Sequence, residues 1–189
     1  MENIKIYDNI ILIGGATRNV GKTAFSCSVI RNNSKKYKII ALKIKTIYEG
    51  DDFFHGKDRN PLKGNYRIIE EIDTDGDEDT QRMLQAGANR VFRIKAKSEF
   101  LKEAFHDFYS QLPEGSFIVC ESNSLRNILK PSIFLLIKHK SSDEMKPSAK
   151  KLAPLADKIV YTDGIKHDFD AGKIIISNNK WIISGEVSR

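Results

Sequence analysis

The sequence has few of the features that mark a secreted or membrane-spanning protein. Its 189 residues include only two cysteines, Cys27 and Cys120, which lie in apolar stretches without the spacing of a metal or redox site. We expect both to be small buried side chains in a reducing compartment. No stretch approaches the roughly 18 consecutive apolar residues that a membrane span needs. An acidic residue at position 2 and interspersed polar residues argue against a signal peptide, so we expect a cytoplasmic protein without a membrane partner.

Internal repeats, low-complexity tracts and Pro- or Ser-rich linkers are also absent, which favours a single domain over residues 1–189. The hydrophobic fraction of 40% and the charged fraction of 30% are typical of a globular protein. The net charge of +6 would suit nucleic acid, but the lysines are scattered and no aromatic-basic stacking motif is present. We therefore favour smaller anionic ligands over nucleic acid.

Apolar runs and helical segments alternate along the chain. The predicted strands are Ile10–Ile13, Lys38–Ile44, Arg90–Ile94, Phe117–Cys120, Ile133–Ile137 and Lys158–Tyr161, and the predicted helices are Thr23–Arg31, Asp79–Ala88 and Glu99–Leu112. This alternation predicts an α/β fold with a mostly parallel sheet that is covered by helices on both faces. Ligands on such sheets bind at the carboxyl ends of the strands, so the residues after each apolar run are the candidates for a site.

Two segments depart from this alternation. Residues 46–78 form a long insertion with several glycines and an apolar-polar segment around Tyr66–Ile72, and insertions of this length usually have a function or are disordered. Near the C-terminus, the pattern predicts a β-hairpin over about residues 173–184 that turns at Asn178 and Asn179.

The most specific motif follows the first predicted strand. Residues 16–23 fit the Walker A pattern, although Ala16 replaces the usual first glycine. Such a loop directs consecutive backbone N–H groups at phosphate oxygens, and the following helix adds its positive N-terminal end. Lys22 would reach the β- and γ-phosphates, and the Thr23 hydroxyl would bind magnesium. Gly21 would let the backbone pass close to phosphate, where a Cβ would clash.

The rarity and the context of this motif both predict a P-loop NTPase, a three-layer sandwich. In a chain of ordinary composition a chance match is expected in on the order of 1% of cases. Gly14 and Gly15 precede the motif and would supply the flexibility that Ala16 lacks. The predicted ligand is GTP or ATP with Mg²⁺, and the predicted nucleotide contacts are Ala16, Thr17, Arg18, Asn19, Val20, Gly21, Lys22, Thr23 and Ala24.

Charged residues follow two other predicted strands. Glu121 ends the strand Phe117–Cys120 and is the candidate magnesium carboxylate, with a helix-capping or solvated glutamate as the alternative. Lys43 and Lys45 end the second strand with their Cβ atoms on the same side, so one of them could contact phosphate. The alternative is that both lysines extend into solvent at the strand exit.

The acidic residues 73–79 and the four histidines do not indicate a metal-binding or catalytic site. Residues 73–79 are acidic but do not form an EF-hand, because Glu78 stands where the loop needs glycine and Leu84 where it needs glutamate. We expect a solvated turn with acidic residues at a helix start. The four histidines are far apart, and we assign none of them to catalysis.

The N-terminal third resembles dethiobiotin synthetase. The similarity lies in Ile11–Gly15, in Asn19–Ala24 and in the strand end Ala41–Lys43. It implies that the lysine at this strand end meets phosphate and acts with Lys22 in catalysis. It also aligns Glu121 with the acidic residue of a Glu-Gly pair, with serine here in place of the glycine.

A second segment resembles the MobB family of nucleotide-binding adaptors, which assist molybdopterin guanine dinucleotide synthesis. Asp79, Thr80, Arg82 and the triplet Ala86-Gly87-Ala88 fall at matching positions. The whole resemblance covers roughly residues 10–162.

The sequence also departs from MobB in two places. The second strand ends in Lys43-Ile44-Lys45 rather than in a Lys-His-Asp-type run, and Ser122-Asn123 stands in place of Gly-Phe.

Two functions remain open at this point. The MobB likeness implies an adaptor with slow NTPase activity in molybdenum cofactor biosynthesis, whereas the synthetase likeness implies an ATP-dependent enzyme acting on a small carboxylate or amine. The partner would be a protein in the first case and a small acceptor in the second. No Asn-Lys-x-Asp motif selects guanine, although Lys138 lies where a base could stack. A homodimer through the insertion or the hairpin is also open.

A site for a second ligand is predicted beside the phosphates, formed by Lys43, Lys45, Asp79 and Arg82. Lys43 ends a parallel strand, and Asp79 and Arg82 are three residues apart on a predicted helix, hence on one face. The alternative for Asp79 and Arg82 is a surface ion pair.

Overall fold

A computed structural model describes residues 4–48 and 62–185, so residues 49–61 of the predicted insertion lie outside the described residues. The strands are β1 (Lys5–Gly15), β2 (Ile39–Ile47), β3 (Tyr66–Glu71), β4 (Arg90–Lys97), β5 (Phe117–Glu121), β6 (Leu129–His139), β7 (Lys158–Thr162), β8 (Ile174–Ser177) and β9 (Lys180–Ile183). The α-helices are α1 (Lys22–Asn33), α2 (Asp79–Gln85), α3 (Leu101–Ser110) and α4 (Pro147–Leu152). Short 3₁₀ helices span Ser98–Phe100, Ser124–Asn127, Ala153–Leu155 and Ala171–Lys173.

Seven strands form one sheet in the order β3-β4-β2-β5-β1-β6-β7. Every neighbouring pair is parallel except β3 and β4, which are antiparallel. The predicted α/β fold with a mostly parallel sheet is therefore confirmed. The strand that precedes the Walker A motif, β1, lies beside β5, and β5 separates it from β2.

Apolar side chains cover both faces of the sheet, because successive residues of a strand point to opposite faces. In β1, Ile11 and Ile13 belong to the core on one face, and Ile10 and Leu12 belong to the core on the other. Helices α1 and α2 and the β8–β9 hairpin supply side chains to the first core, whereas α3 and α4 supply the second. The three layers of the predicted sandwich follow from this division.

The structure adds two elements that the sequence patterns did not predict. Tyr66–Glu71 pairs with β4 as an antiparallel edge strand, so part of the predicted insertion belongs to the sheet. Helix α4 has six residues, too few for a helical period to be recognised, and it begins with Pro147 in its first turn. The predicted helix Glu99–Leu112 is shorter than expected, since its first turn is a 3₁₀ helix and it ends at Ser110.

The C-terminal hairpin turns at Asn178 and Asn179, as predicted. Both asparagines have positive φ, 49° and 57°, which asparagine tolerates and a tight hairpin turn requires. Trp181 follows this turn, is 1% exposed, and its indole N–H donates to the Asn9 carbonyl at 3.1 Å. The Ser132 hydroxyl donates to the Trp181 carbonyl at 2.6 Å, so the hairpin is fixed to both β1 and β6.

Both cysteines are buried and unpaired, as predicted for small core side chains. The Cys27 thiol donates to the Arg82 carbonyl at 3.4 Å and so links α1 to α2. Within residues 4–48 and 62–185, no helix is long and apolar enough to cross a membrane.

Replacing Trp181 by alanine should lower the free energy of unfolding by about 3–5 kcal/mol, because a large buried ring is lost and a cavity remains. Ile175→Ala is the matched control: it lies on the exposed face of the same hairpin and should change stability by less than about 1 kcal/mol. Urea unfolding followed by far-UV circular dichroism measures both. Equal effects of the two substitutions would show that the hairpin is not part of the core.

Candidate functional site

The first residue of the loop with the Walker A motif, residues 16–23, is held from both sides by the backbone. The Ala16 N–H donates to the Ile137 carbonyl of β6 at 2.8 Å, and the Ala16 carbonyl accepts from the Lys146 N–H at 2.9 Å. Ala16 is 1% exposed, and its φ is not positive. Alanine can therefore replace the usual glycine, because this position requires neither a left-handed backbone nor an absent side chain.

The loop makes its turns at two later residues. Asn19 has a φ of 54° and Gly21 a φ of 83°, and both values lie in the left-handed region that asparagine and glycine adopt most readily. A Cβ on Gly21 would also lie 3.3 Å from His167 Nε2. The conformation of the loop thus requires Gly21 for a backbone reason in addition to the predicted approach of phosphate.

Gly14 and Gly15 have a different role from the predicted one. Both belong to β1 and neither has a positive φ, so the prediction that they make the loop flexible is wrong. Other side chains approach both glycines closely, and the neighbours are more rigid at Gly14 than at Gly15, where the nearest one is the flexible Lys22 side chain. A Cβ on Gly14 would lie 2.9 Å from Asn123 Oδ1 and 3.0 Å from the Phe134 ring, and one on Gly15 would lie 2.8 Å from Lys22 Cδ.

Asn123 fixes the end of β1 from the neighbouring strand exit. Its Oδ1 accepts from the Gly15 N–H at 2.8 Å, and its Nδ2 donates to the Gly15 carbonyl at 3.2 Å. Sequence reasoning missed this role. The departure from the MobB pattern after Glu121 could have revealed it, because Asn123 stands where that family has phenylalanine.

Helix α1 begins with its polar N-terminus available to a ligand. Gly21 is the N-cap residue, no side chain caps it, and no acidic residue lies in the first turn. The N–H groups of Asn19, Gly21 and Lys22 donate to no protein acceptor in the described part of the chain. A helix N-terminus of this kind attracts an anion through its free N–H groups and the helix dipole.

The Lys22 side chain lies across Gly15 and is half-buried. Burial is the main cause that lowers the pKa of Lys22, and the charge of Lys43 lowers it further. The carboxylates of Glu121 and Asp79 oppose this shift. The ammonium group is therefore within electrostatic reach of two carboxylates and one other ammonium group.

The predicted metal carboxylate lies beside the predicted metal hydroxyl. The Thr23 hydroxyl donates to Glu121 Oε2 at 3.2 Å, and Lys43 Nζ lies 3.6 Å from the same oxygen. Lys43 also forms an ion pair with Asp79 Oδ2. In the sheet register, Glu121 stands opposite Ile13 on one side and opposite Lys43 on the other, which explains the convergence.

The two carboxylates differ in their electrostatic environment. Glu121 is 3% exposed, and burial raises its pKa although the charge of Lys43 opposes the shift. Its second oxygen, Oε1, is buried without a hydrogen-bond partner in the described residues. For Asp79, burial acts in the same direction, but the hydrogen bond from Lys43 and the charge of Lys43 oppose it, and the pKa is lowered. Glu121 is therefore neither a solvated nor a helix-capping residue.

Thr23, Asp79 and Glu121 are the side chains that could hold a divalent cation here. Magnesium prefers oxygen ligands and, when bound with a nucleotide, takes few from the protein and the rest from phosphate and water. Among the residues described, no group of three or more His, Cys, Asp or Glu side chains could hold a metal ion. One hydroxyl and two carboxylates are enough for a cation that arrives bound to phosphate. They are too few for a metal site in which the protein supplies all the ligands.

The residues predicted for a second ligand lie at different distances from the loop. Lys43 and Asp79 lie at its mouth, in contact with each other. Arg82 Nη1 is 4.0 Å from Asp79 Oδ1, and the Arg82 side chain is 44% exposed. Lys45 is half-buried two residues further along β2, in register with Lys95 of β4.

Two further side chains near the loop were missed. Lys146 is half-buried, and its pKa is lowered by burial and then by the charges of Lys22 and Arg18. The His167 ring lies 5.0 Å from the Phe25 ring, and burial lowers the pKa of this histidine. Neither residue carries a local signal, because each lies more than 100 residues from the loop and reaches it only through the strand order.

Comparison of the chain with protein-family models, with curated proteins and with solved structures found no match. The resemblance to MobB and to dethiobiotin synthetase therefore stays a prediction. The function has to be proposed from the geometry of the site.

Proposed function

We propose that this protein binds a nucleoside triphosphate, GTP or ATP, together with Mg²⁺. The observation that carries the proposal is the contact between the Thr23 hydroxyl and the buried Glu121 carboxylate, directly beside an uncapped helix N-terminus. A buried carboxylate with one unpartnered oxygen is unfavourable unless a cation or donor comes to it. A magnesium-bound triphosphate would supply that cation to Glu121 and anionic oxygens to the helix.

The loop and its lysine would hold the phosphates. The free N–H groups of Asn19, Gly21 and Lys22 would donate to phosphate oxygens, and the Lys22 ammonium would bind the β- and γ-phosphates. Lys43, which stands opposite Glu121 in the middle of β2, would reach the γ-phosphate from the other side. Magnesium would supply charge neutralisation between the phosphates, and Thr23, Asp79 and Glu121 would hold it or its water.

We further propose a MobB-like adaptor with slow NTPase activity in molybdenum cofactor biosynthesis, located in the cytoplasm and acting with a protein partner. The two carboxylates nearest the loop support slow turnover. Glu121 is engaged by Thr23, and Asp79 by Lys43, which suits cation ligands better than a base that activates water. Asp79 also belongs to the segment that resembles MobB.

One observation favours a second candidate, an ATP-dependent synthetase of the dethiobiotin synthetase type. Arg82 is 44% exposed beside Asp79, so its guanidinium could bind the carboxylate of a small acceptor near the γ-phosphate. A synthetase should hydrolyse ATP only when its acceptor is present, whereas an adaptor should hydrolyse nucleotide slowly without one.

Titration with fluorescent ATP and GTP analogues, with and without Mg²⁺, tests the proposal and identifies the base. Lys22→Ala removes a charge-assisted phosphate contact worth about 1.5–3 kcal/mol, so the dissociation constant should rise roughly 10- to 150-fold. Lys36→Ala is the control, since Lys36 is exposed just beyond the end of α1. An unchanged dissociation constant for Lys22→Ala would overturn the assignment.

Glu121→Gln keeps the shape of the side chain and removes its charge. We expect the gain in nucleotide affinity that Mg²⁺ produces to fall by about tenfold or more, because a charged contact is lost. Nucleotide binding without metal should change much less. If Mg²⁺ strengthens nucleotide binding equally in both proteins, Glu121 is not part of the metal site.

The raised pKa of Glu121 also predicts that the stability of the protein depends on pH. Because the folded-state pKa of Glu121 is raised, its contribution to stability is fully present below the unfolded pKa of about 4.3 and is lost as the pH rises through the folded pKa. The unfolding free energy of Glu121→Gln, relative to wild type, should therefore increase with pH over this window in nucleotide-free protein. Denaturant unfolding at several pH values measures this difference, and a pH-independent difference would contradict it.

Lys146 should act as a further phosphate-side cation, since it is half-buried near Lys22 and Arg18 with only like charges acting on it. Lys146→Ala should weaken triphosphate binding by about tenfold and diphosphate binding by less. Lys150→Ala, on the exposed side of α4, is the matched control. Equal affinities of all three proteins for the triphosphate would exclude this role.

A further inference from the structure

We propose that Lys43 is a built-in counter-ion that occupies the divalent-cation site of the nucleotide-free protein, so that metal and nucleotide bind together and not separately. This inference rests on the proposed function and deepens it. It assigns to Lys43 a positioning role in the free protein, in addition to the phosphate contact expected in the bound one.

The contacts of Lys43 are with the same groups that would bind the metal. Its ammonium pairs with Asp79 Oδ2 and lies 3.6 Å from Glu121 Oε2. The Thr23 hydroxyl donates to that same Glu121 oxygen at 3.2 Å. A magnesium ion bound to these oxygens would stand about 2.0–2.1 Å from each of them. The ammonium group and the metal ion cannot both occupy the space between the two carboxylates.

The sheet holds Lys43 in this place. Lys43 and Glu121 are register partners on the adjacent parallel strands β2 and β5, so their backbones cannot separate without breaking the sheet. The Lys43 side chain is only 29% exposed, whereas that of Glu121 is 2% exposed. A buried carboxylate needs a compensating charge, and Lys43 provides it when no metal is bound.

Charge balance explains why the metal would not replace Lys43 by itself. Asp79 and Glu121 lie within electrostatic reach of Lys43 and Lys22, and Arg82 also lies beside Asp79, so the cationic side chains already balance or exceed the two carboxylates. Metal alone would displace Lys43 and leave its ammonium beside a divalent cation without a new acceptor. A triphosphate provides acceptors for both lysines, and the displaced Lys43 can then bind the γ-phosphate.

Such an exchange produces thermodynamic coupling between the two ligands. Nucleotide should raise the affinity for metal, and metal should raise the affinity for nucleotide by the same factor, because coupling free energies are reciprocal. The coupling would come from the movement of one flexible side chain, and it would not require a rearrangement of the sheet.

Mn²⁺ binding to nucleotide-free protein tests the inference, with free Mn²⁺ measured by electron paramagnetic resonance. Lys43→Met keeps an unbranched side chain that is one atom shorter and removes its charge. This variant should bind Mn²⁺ alone more tightly than wild type, roughly 5- to 150-fold if typical coupling applies. A non-hydrolysable triphosphate should then enhance Mn²⁺ binding less in Lys43→Met than in wild type.

Arg82→Met is the control for simple loss of positive charge, because Arg82 lies 4.0 Å from Asp79 but does not contact Glu121. It should change Mn²⁺ affinity much less than Lys43→Met does. Far-UV circular dichroism verifies folding, and Lys43→Gln replaces Lys43→Met if that variant does not fold.

The outcomes separate the two proposals. If folded Lys43 variants bind Mn²⁺ alone no more tightly than wild type, or if Arg82→Met has the same effect, the counter-ion role is wrong. If Lys43→Met gains Mn²⁺ affinity but wild type binds no triphosphate with Mn²⁺, the counter-ion role stands and nucleotide binding is wrong.

Discussion

The parallel pairing of β5 between β1 and β2 is the constraint on which the site depends. It sets Glu121 opposite Ile13 on one side and opposite Lys43 on the other. Because parallel strands end at one edge of the sheet, the loop after β1, the carboxylate of β5 and the lysine of β2 meet there. The contact between Thr23 and Glu121 then follows from the start of α1 directly after the loop.

Placing these charges at a buried edge has an electrostatic consequence. Glu121 is almost fully buried and Lys22 is half-buried, and burial shifts the pKa of each toward its neutral form. Lys43 opposes the shift of Glu121 and adds to that of Lys22, whereas Asp79 opposes the shift of Lys22 and adds to that of Glu121. The four groups therefore form one coupled electrostatic network. Such an arrangement is typical of a functional site rather than of a stabilising one, since buried ion pairs seldom contribute much net stability.

The conformation of the Walker A loop also depends on residues outside its motif. Asn123 makes two hydrogen bonds to Gly15, and the β6 backbone and the Lys146 N–H hold Ala16. These contacts fix the loop before any ligand is present, so little backbone order has to be gained on binding. They also explain why glycine stands at position 14 and alanine at position 16, whereas flexibility explains neither.

The sequence alone determined the α/β class, the turns of the loop with the Walker A motif and the hairpin turn, because each depends on a local pattern of residues. Periodicity marks a strand or a helix, and the loop motif and the two asparagines have backbone requirements that few other residues meet. It also indicated Glu121 and Lys43, since both follow apolar runs that end at the ligand edge.

The sequence did not predict β3 or α4, because β3 is recognised only by its pairing with β4 and α4 is too short to show a helical period. Only the tertiary structure decided that Asp79 contacts Lys43, that Asn123 holds Gly15 and that Lys146 lies near Lys22. These contacts join residues that are far apart in the chain, and they depend on the strand order, which no local pattern of residues contains.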